Sequence, residues 1–534
     1  MCFINIIDKD KKIECSAKDN LMKILLENDV FLENPCNGNG TCGKCKVKVV
    51  SGEVSKITDT EKNILSDKEI ENGIRLSCLT EILGDCNIES INSKKLHHNI
   101  LSGGYIRDFE FDKYEKGYGI VVDIGTTTVA MGLIKLSTGE EVSYKTMINP
   151  QRKYGSDVLT RITYEYENKE NGIELMQKAI VEGMNNLINS FCLELNINKA
   201  DIYEIVISAN CTMAHMLLGE DAKPIGKFPY EPIFKEAQRL KAKNIGLDLD
   251  EKTDLYCIAQ VSSFIGGDIV SGAYACELKE RKGNVLFIDI GTNGEIILSK
   301  NGEMSCCSCA AGPALEGMNI SCGMTAAKGA IEDLEITKEG IELKVIGDEQ
   351  PLGLCGSGIL ASIEQLISHK IINKRGAFIK KDSISEDDYR YNLIKLNGNK
   401  REFVICDNPE IIVTQSDVRQ VQLAKGAILS GCEALVKESN INMEDLDEVL
   451  IAGQFGSHIS VKSLVGVGIL PKEVENKVKY IGNSSKSGAY IALMSNKAKD
   501  EMEKLGKEMK YVELAMVEGY EKIFRDSMEF PIQK

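Results

Sequence analysis

The hydrophobic pattern of this chain changes at about residue 118. Before it the apolar stretches are short: FINII (3–7) fits a strand, NLMKILLENDV (20–30) has apolar residues at helical spacing, and KCKVKVVSGEV (44–54) alternates like a half-buried strand. From residue 118 onward the apolar runs are longer and form strand–turn–strand units. The pattern therefore predicts a small α+β domain followed by a larger α/β part.

We predict the first domain over residues 1–92, a linker over 93–117 and the α/β part over 118–534. The linker region contains a Gly-Gly pair and has no clear hydrophobic period. With 43% hydrophobic and 27% charged residues, the composition is that of a globular protein. The formal net charge of −16 argues against nucleic-acid or anionic-membrane binding, because both require a cationic surface.

A cytoplasmic location is expected. No run of 18 or more apolar residues predicts a transmembrane helix, and the N-terminal MCFINIIDKDKKIECS lacks the basic-then-apolar order of a signal peptide. The chain has 18 cysteines, and in that compartment they cannot depend on disulfides. Most are expected to be buried thiols, and some are expected to be metal ligands.

Three cysteines lie in the glycine-rich segment PCNGNGTCGKC (35–45), and another follows about thirty residues later. Iron–sulfur clusters need thiolate ligands and backbone N–H groups that donate to the sulfurs. The glycines allow the tight curvature that exposes such N–H groups. The spacing therefore predicts a [2Fe–2S] cluster held by Cys36, Cys42, Cys45 and Cys78.

Other chemistries fit this segment less well. Structural zinc sites more often pair two CxxC knuckles, and only one CxxC is present here. Cys86 is an alternative fourth ligand, but Cys78 follows a loop-to-strand signal and is preferred. The loop and the strand after it resemble the adrenodoxin-like [2Fe–2S] ferredoxins. This resemblance implies an α+β ferredoxin-like (β-grasp) domain.

A strand, a tight turn and a second strand occur twice in the α/β part. YGIVVDIGTTTVAMGLI (118–134) contributes Asp123, Gly125, Thr126, Thr127 and Thr128. NVLFIDIGTNGEIILS (284–299) contributes Asp289, Gly291, Thr292 and Asn293. Backbone amides and hydroxyls in such turns can bind phosphate, while the carboxylates can hold Mg²⁺ through water. The repetition predicts two similar lobes that face one nucleotide.

A third segment, EVLIAGQFGSHI (448–459), is a strand that ends at Gly453, with Phe455 close behind. Both residues are expected near the nucleoside, because glycine allows close approach to the backbone. With SANCTMAHMLLG (208–219) and GNSSKSGA (482–489), the three segments resemble the phosphate-1, phosphate-2, adenosine and connecting segments of the acetate kinase, sugar kinase, Hsp70 and actin superfamily. The resemblance implies a two-lobed α/β actin/Hsp70-like (RNase H-like) ATPase with ATP and Mg²⁺ as cofactors.

Longer stretches narrow this resemblance. They are NPQRKYGSDVLTRI, VSSFIGGDIVSGAYA, CAAGPALEGMNISCGMTAAKGAI, GLCGSGIL and QSDVRQVQLAKGAI. Together with the [2Fe–2S] module they resemble the reductive activators of corrinoid-dependent proteins over nearly the whole chain. Three features depart from the pattern of that family, and one of them is Gln454, which follows Gly453 where a smaller residue is expected. Longer members carry an additional middle domain for which the linker leaves no room, and others end in a cysteine-rich segment, whereas no cysteine follows Cys432 here.

The resemblance implies ATP-dependent reduction of the inactive Co(II) of a corrinoid protein to Co(I), by one electron from the [2Fe–2S] cluster. The partner is then the corrinoid protein of a methyltransferase system, with an external low-potential reductant, and a homodimer is expected. Three alternatives stay open: an activator of a radical dehydratase, a redox-sensing small-molecule kinase, and an electron carrier that only senses nucleotide. The dehydratase activators share a [4Fe–4S] cluster between two short subunits, unlike the module here.

Several residues carry weaker functional signals. Asp268, in a Gly-Gly-Asp turn, and Glu295 are candidates for orienting water or Mg²⁺, with capping or hydrogen bonding as the alternative. Gly356 and Ser357 form either a backbone cradle for nucleotide or a tight structural turn. His215 is expected to be a packed helix residue, and the CCSC segment is expected to contribute buried thiols.

Overall fold

The structure, a computed structural model, describes residues 2–7, 11–28, 30, 40, 43, 45–90, 107, 109–112, 116–398, 400–453 and 459–531. The described residues divide into two compact units, one within residues 1–97 and 150–167, the other within 98–149 and 168–534. In these ranges no helix is long and apolar enough to cross a membrane. The boundaries predicted for the linker stay a prediction.

A mixed five-stranded sheet forms the core of the first unit. Its strands are β1 (Cys2–Ile6), β2 (Lys11–Cys15), β3 (Lys46–Val54), β4 (Ile74–Leu76) and β5 (Ile82–Ser90), and its helices are α1 (Leu21–Glu27), α2 (Asp59–Ile64) and α3 (Asp67–Glu71). In the order β2-β1-β5-β3-β4, only β1 and β5 are parallel. Leu21 and Ile24 of α1 are buried with Ile4 and Ile88 of the sheet. This arrangement is the predicted β-grasp fold.

The polar segment 58–73 is two short helices rather than a continuous one. Thr58 and Ser66 each accept from the backbone N–H three residues on, and Glu61 and Glu69 return the bond in a capping box. A second N-cap within eight residues starts a new helix, so the polar periodicity is interrupted. Glu61 is fully buried, and its carboxylate accepts a hydrogen bond from the Arg75 guanidinium (2.9 Å).

The second unit contains two six-stranded sheets. The first sheet consists of β6 (Tyr118–Ile124), β7 (Thr128–Lys135), β8 (Glu140–Ile148), β9 (Ile202–Ala209), β10 (Gln238–Lys241) and β11 (Asp254–Cys257). The second sheet consists of β12 (Asn284–Ile290), β13 (Gly294–Lys300), β14 (Glu303–Cys309), β21 (Glu448–Ala452), β22 (Val478–Gly482) and β23 (Lys510–Tyr511). The intervening strands β15 (Ala330–Ile336), β16 (Ile341–Val345), β17 (Gly353–Leu354), β18 (Ile394–Asn397), β19 (Lys400–Asp407) and β20 (Glu410–Thr414) form two small three-stranded sheets.

Both large sheets repeat one topology. The orders β8-β7-β6-β9-β11 and β14-β13-β12-β21-β22 each combine three antiparallel strands with two further parallel ones. Each sheet therefore presents one β-hairpin turn and one parallel strand end at the same edge. This repetition confirms the predicted two-lobed ATPase fold and explains why both Asp-x-Gly-Thr turns share one local sequence.

Helices cover the sheets and connect them. Those of the second unit are α5 (Gly172–Leu195), α6 (Cys211–Leu218), α7 (Gly267–Ala275), α8 (Gly356–Ser368), α9 (Gln415–Glu438), α10 (Val461–Val467), α11 (Ser484–Met494), α12 (Asn496–Glu508) and α13 (Tyr520–Ser527), whereas α4 (Val158–Glu167) lies in a range that belongs to the first unit. Helices α7 and α11 share one buried core with Val121 of the first sheet and Phe287 of the second. Because the central strands are buried on both faces, they read as continuous apolar runs.

Candidate functional site

The two Asp-x-Gly-Thr turns line one cleft in the second unit, with a cavity volume of about 160 Å³. The predicted residues that line it are Asp123, Gly125, Thr126, Thr127, Thr128, Asp268, Asp289, Gly291, Thr292, Asn293, Glu295 and Gly453. Four further polar residues line it that the sequence did not single out: Asn210, Glu316, Asn483 and Ser485. The structure therefore brings most of the predicted nucleotide site together.

The first turn joins β6 to β7 and is closed by local hydrogen bonds. The Gly125 amide donates to the Thr128 carbonyl (2.9 Å), and the Asn149 side-chain amide donates to the Gly125 carbonyl (2.8 Å). The Thr126 hydroxyl accepts from Nδ2 of Asn210 (3.2 Å). These contacts hold the turn in a defined shape at the edge of the cleft.

The carboxylate of Asp123 is oriented by the start of α11. Its Oδ2 accepts from Nδ2 of Asn483 (2.8 Å), and its Oδ1 accepts from the Ser485 hydroxyl (2.7 Å). Asn483 also caps α11 through its Oδ1, so the helix end and the carboxylate share one residue. Removal from bulk water raises the pKa of Asp123, although both hydrogen bonds lower it.

The second turn joins β12 to β13 and contacts the third predicted segment. Asp289 pairs with Glu295 across the two antiparallel strands, and its neighbour on the parallel side is the last residue of β21. Gly453 follows β21 with φ +94°, and a Cβ there would lie 2.7 Å from Oδ1 of Asp289. Glycine is therefore required at Gly453 by both its backbone conformation and this close approach.

Burial raises the pKa of four carboxyl groups in the cleft, and for three of them the charge of a neighbouring carboxylate adds to the effect. Burial, followed by the charges of Asp289 and Asp123, raises the pKa of Asp268 to about 8. Burial and the charge of Asp123 raise the pKa of Asp289 to about 7, and that of Glu295 is raised well above its usual value. Such a site carries negative charge that a divalent cation would neutralise.

Hard oxygen donors are the ligands that Mg²⁺ prefers, so the cleft fits this ion. Among the described residues, however, no group of three or more His, Cys, Asp and Glu side chains is arranged to hold a metal ion by itself. A cation that keeps several waters and also binds phosphate oxygens suits this arrangement, as predicted for Asp123 and Asp289.

Glu316 contacts both turns and was missed from the sequence. Its Oε2 accepts from the Thr127 hydroxyl (3.1 Å), and its Oε1 accepts from the Thr292 hydroxyl (2.6 Å). It ends a 3₁₀ turn (Pro313–Glu316) after β14 and is buried. A glutamate within the apolar, glycine-flanked AGPALEG stretch was the available signal, because a buried carboxylate needs partners.

Two asparagines with equivalent roles were also missed. Asn210 caps α6 and donates to Thr126, while Asn483 caps α11 and donates to Asp123. Asparagine directly before an apolar helix is a recognisable N-cap signal. That signal predicts the cap, which uses the side-chain oxygen. It does not predict that the NH₂ group of the same side chain reaches the first turn.

Other predicted residues lie elsewhere or outside the description. Gly356 and Ser357 open α8 and are not among the described residues that line the cleft; Ser357 is buried, with its hydroxyl 3.3 Å from the Cys355 thiol. This favours the structural-turn interpretation. Phe455 lies outside the described residues. His215 is a packed helix residue, as predicted, with its imidazole stacked on Phe234.

The CCSC segment (306–309) forms part of β14, and its three thiols are buried. Burial raises the pKa of Cys306 to about 12 and raises the pKa values of Cys307 and Cys309 further. Thiols of this kind do not ionise at neutral pH and behave as small hydrophobic groups. The expectation of buried thiols is confirmed.

Two of the four predicted cluster ligands lie together in the first unit. Sγ of Cys45 is 3.3 Å from Sγ of Cys78, well beyond the roughly 2.05 Å of a disulfide. The hydrogen bond between the two thiols outweighs burial and lowers the pKa of Cys45 to about 6, which favours the thiolate that iron requires. These two cysteines therefore fit an iron–sulfur cluster. Cys36 and Cys42 lie outside the described residues.

Cys86 lies in a different part of the same unit. It lies on β5 and is buried in the core of the five-stranded sheet, together with Cys2 of β1 and Cys15 of β2. Burial, followed by the charges of Cys15 and Asp85, raises its pKa to about 11. Cys45 and Cys78 pack instead with Leu65 and Leu76. The arrangement favours Cys78 over Cys86 as the fourth ligand.

A cysteine-bearing β-grasp unit and a two-lobed cleft with paired phosphate turns define a ferredoxin-linked ATPase of the acetate kinase, sugar kinase, Hsp70 and actin (ASKHA) class. Comparison with known families gives three matches: a 2Fe-2S iron-sulfur cluster binding domain (4–83), the RACo middle region (118–281) and the C-terminal domain of RACo, the ASKHA domain (283–534). The chain belongs to the RACo family. The resemblance inferred from the sequence and the predicted fold class are both confirmed.

Individual relatives agree. The corrinoid activation enzyme RamQ of Eubacterium limosum is 37% identical over 406 residues, which cover 74% of this chain and 68% of RamQ. The [Co(II) methylated amine-specific corrinoid protein] reductase of Methanosarcina barkeri is 22% identical over 424 residues, 73% of each chain. A solved reductive activator for corrinoid, iron-sulfur protein is 28% identical with a TM-score of 0.71, covering 100% of this chain and 99% of that one.

The sequence predicted that this chain lacks a middle domain, and comparison with the solved activator shows that this prediction is wrong. The middle-region model matches residues 118–281, and the alignment covers 99% of the solved activator chain. The middle region is the sequence of the first large sheet and its helices rather than an insertion before them. The sequence pattern does not distinguish this region from the ASKHA domain, because both contain the same kind of strand–turn–strand unit.

Proposed function

We propose that this protein is an ATP-dependent reductive activator that reduces the Co(II) of a corrinoid protein to Co(I) by one electron. The observation that carries the proposal is the combination, in one chain of the RACo family, of a 2Fe-2S cluster binding domain and a two-lobed nucleotide cleft. When bound, the cluster supplies the one-electron redox couple. An external low-potential reductant of the cluster is part of the proposal, as is a homodimer.

The nucleotide is needed because the electron transfer is uphill. Co(II)/Co(I) couples lie at very low potential, and each 59 mV of unfavourable difference is a tenfold loss in a one-electron equilibrium. ATP can offset this only if one state of the protein binds it better than another. Two lobes joined across a cleft by Thr127 and Glu316 are suited to such a two-state change.

Each group of residues has a distinct role in this proposal. Cys36, Cys42, Cys45 and Cys78 hold the cluster. Asp123 and Asp289 hold Mg²⁺ through water, and Asp268 and Glu295 orient its shell or the attacking water. The backbone amides and side chains of the two turns together bind phosphate and Mg²⁺. Gly453 and Phe455 lie near the nucleoside.

The test is anaerobic reduction of a Co(II) corrinoid methyltransferase protein by the reduced protein, with and without Mg·ATP, followed by visible spectroscopy. We expect a Co(I) band only with nucleotide, and none with Cys45→Ala or Asp123→Ala. Cys276→Ala, a buried thiol in the shared core of α7 and α11, is the matched control that retains activity. Phosphorylation of a small metabolite without formation of Co(I) would instead indicate a redox-sensing kinase. Activation of a radical dehydratase alone would identify the other class of low-potential activators.

A further inference from the structure

Glu316 determines which way two threonine hydroxyls face. Thr127 belongs to the first turn and Thr292 to the second, and both hydroxyls donate to the same carboxylate (3.1 Å and 2.6 Å). Glu316 is only 5% exposed, so these bonds lie in a protected part of the cleft. All three residues line the cleft. The carboxyl groups of Asp123, Asp268, Asp289 and Glu295 line the same cleft.

A hydroxyl group has one proton and two lone pairs. A threonine that donates its proton to a carboxylate cannot donate the same proton to a phosphate oxygen, and it can offer only lone pairs to other groups. Thr126, in the same turn, is bonded in the opposite sense, because its hydroxyl accepts from Asn210. The turns therefore contain threonine hydroxyls of two polarities, although the sequence Thr-Thr-Thr suggests three equivalent phosphate donors.

Oxygen lone pairs suit a hard cation or the water bound to it. The carboxyl groups of Asp123, Asp268, Asp289 and Glu295 line the same cleft and supply the same kind of donor. If the hydroxyl proton is already donated to Glu316, a phosphate oxygen beside that hydroxyl meets only oxygen lone pairs, and the two oxygens repel each other. The Thr127 and Thr292 hydroxyls are therefore suited to contact the Mg²⁺ ion and its water rather than the phosphate oxygens of a Mg²⁺–nucleotide.

We propose that Glu316 is a positioning residue that turns the Thr127 and Thr292 hydroxyl oxygens toward the Mg²⁺ shell of the bound nucleotide, so that these two threonines serve the cation rather than the phosphates. The proposal rests on the proposed nucleotide-binding function of the cleft. In this arrangement the two threonine hydroxyls contact the cation shell, and the backbone amides of the turns bind the phosphates. Because Thr127 lies in one lobe and Thr292 in the other, the correct orientation requires both turns to reach Glu316.

The test compares nucleotide affinity with and without the metal in the full-length protein. The dissociation constant for ADP is measured by calorimetry in excess Mg²⁺ and in EDTA, and the ratio of the two constants defines a magnesium factor. Glu316→Gln presents only one acceptor atom, while its NH₂ group donates, so at most one threonine keeps its orientation. We expect the magnesium factor to fall by about 10-fold, with the constant in EDTA changed less than about 2-fold.

Matched variants make the test specific. Glu364→Gln alters another buried, hydrogen-bonded glutamate, which lies on α8 and does not line the described cleft, and should leave both constants unchanged. Thr292→Val should reproduce the loss and Thr292→Ser should restore the factor, which keeps the proposal testable if the Glu316 variant does not fold. Mn²⁺ bound with ADP should show an altered electron paramagnetic resonance spectrum in Glu316→Gln.

Each further outcome has a definite meaning. Equal weakening with and without Mg²⁺ would assign Glu316 to phosphate positioning and overturn the proposal. Tighter binding by Glu316→Gln would make the carboxylate a competitor of phosphate, which also overturns it. An unchanged magnesium factor in both Glu316→Gln and Thr292→Val overturns the inference alone. A wild-type protein that binds no nucleotide in either buffer overturns the proposed function itself.

Discussion

The Ser485 hydroxyl donates a 2.7 Å hydrogen bond to Oδ1 of Asp123, a residue 362 positions earlier in the chain. The same hydroxyl lies 2.9 Å from the Ser208 hydroxyl, and the Ser208 hydroxyl lies 2.8 Å from the Ser271 hydroxyl. A buried row of hydroxyls thus connects the first phosphate turn with the helices α7 and α11 between the two lobes. Asp123 is therefore oriented by distant segments as well as by its own hairpin.

Replacing Ser485 by alanine should weaken binding of Mg·ADP. A hydrogen bond to a charged group contributes about 1.5–3 kcal/mol, so we expect the dissociation constant to rise by about 10-fold or more. Ser484→Ala is the control, because the buried Ser484 hydroxyl has no hydrogen-bond partner among the described residues. Calorimetry with both variants checks the prediction, and an equal loss of affinity in the two would contradict it.

Nucleotide binding should depend on pH between about 6 and 8. The pKa of Asp268 is raised to about 8, chiefly by burial, and that of Asp289 to about 7, so the nucleotide-free cleft holds protons at neutral pH. Mg²⁺ must displace these protons, so affinity for Mg·ADP should rise with pH and level off above about 8. Calorimetry in buffers of different ionisation enthalpy measures the released protons.

The same shifts determine how folding depends on pH. Because both folded-state pKa values lie above the unfolded value of about 3.9, the folded protein binds more protons over this interval. The contribution of these groups to stability should therefore fall as the pH rises from about 4 to about 8. Asp268→Asn should flatten both profiles, whereas pH-independent affinity in the wild type would exclude the assignment.

Cys45→Ala should abolish the [2Fe–2S] spectrum, and Cys86→Ala should retain it. Cys45 lies 3.3 Å from Cys78 and has its pKa lowered to about 6, whereas Cys86 is a buried core thiol with its pKa raised to about 11. Iron content and the visible spectrum after anaerobic reconstitution decide between them. Loss of iron in Cys86→Ala with retention in Cys78→Ala would reverse the ligand assignment.

Glu61→Gln should destabilise the ferredoxin unit by about 3–5 kcal/mol, because it leaves the Arg75 guanidinium buried without its charged partner. Burial alone would raise the pKa of Glu61, but hydrogen bonds from Arg75, Thr58 and Leu76 lower it. Its contribution to stability is therefore complete above about pH 4.3 and is lost as the pH falls through the lowered value. Thermal loss of the cluster absorbance measures the effect.

Glu69→Gln provides the comparison for that prediction. Glu69 occupies the equivalent position in the next capping box, but its ion pair with Lys46 is about one-third exposed. Such a pair contributes no more than about 1 kcal/mol, so the variant should lose the cluster at nearly the wild-type temperature. Similar destabilisation by Glu61→Gln and Glu69→Gln would show that the capping box, not the buried ion pair, stabilises this unit.

Turns, strands and candidate ligands could be predicted from the sequence because they depend on residues that are close together in the chain. The turns around Asp123 and Asp289, the glycine at 453 and the β-grasp strands all follow from residues within about twenty positions of one another. Short local patterns also have a limit, because at Gly356 and Ser357 they fit both a nucleotide cradle and a structural turn. A Gly-Ser-Gly run at a helix start resembles a phosphate cradle, yet packing decides whether that end meets a cleft.

By itself, the sequence determined the two-part organisation, the repeated phosphate turns and the cysteine spacing, since periodicity and turn chemistry act between neighbours in the chain. Only the tertiary structure decided which side chains orient the site: Glu316 lies 189 residues from Thr127, and Asn483 lies 360 from Asp123. Burial, together with the charges of neighbouring carboxylates, decided that Asp268 and Asp289 would have pKa values near neutrality. Hydrogen-bond polarity and desolvation depend on groups that folding brings together, and no local pattern encodes them.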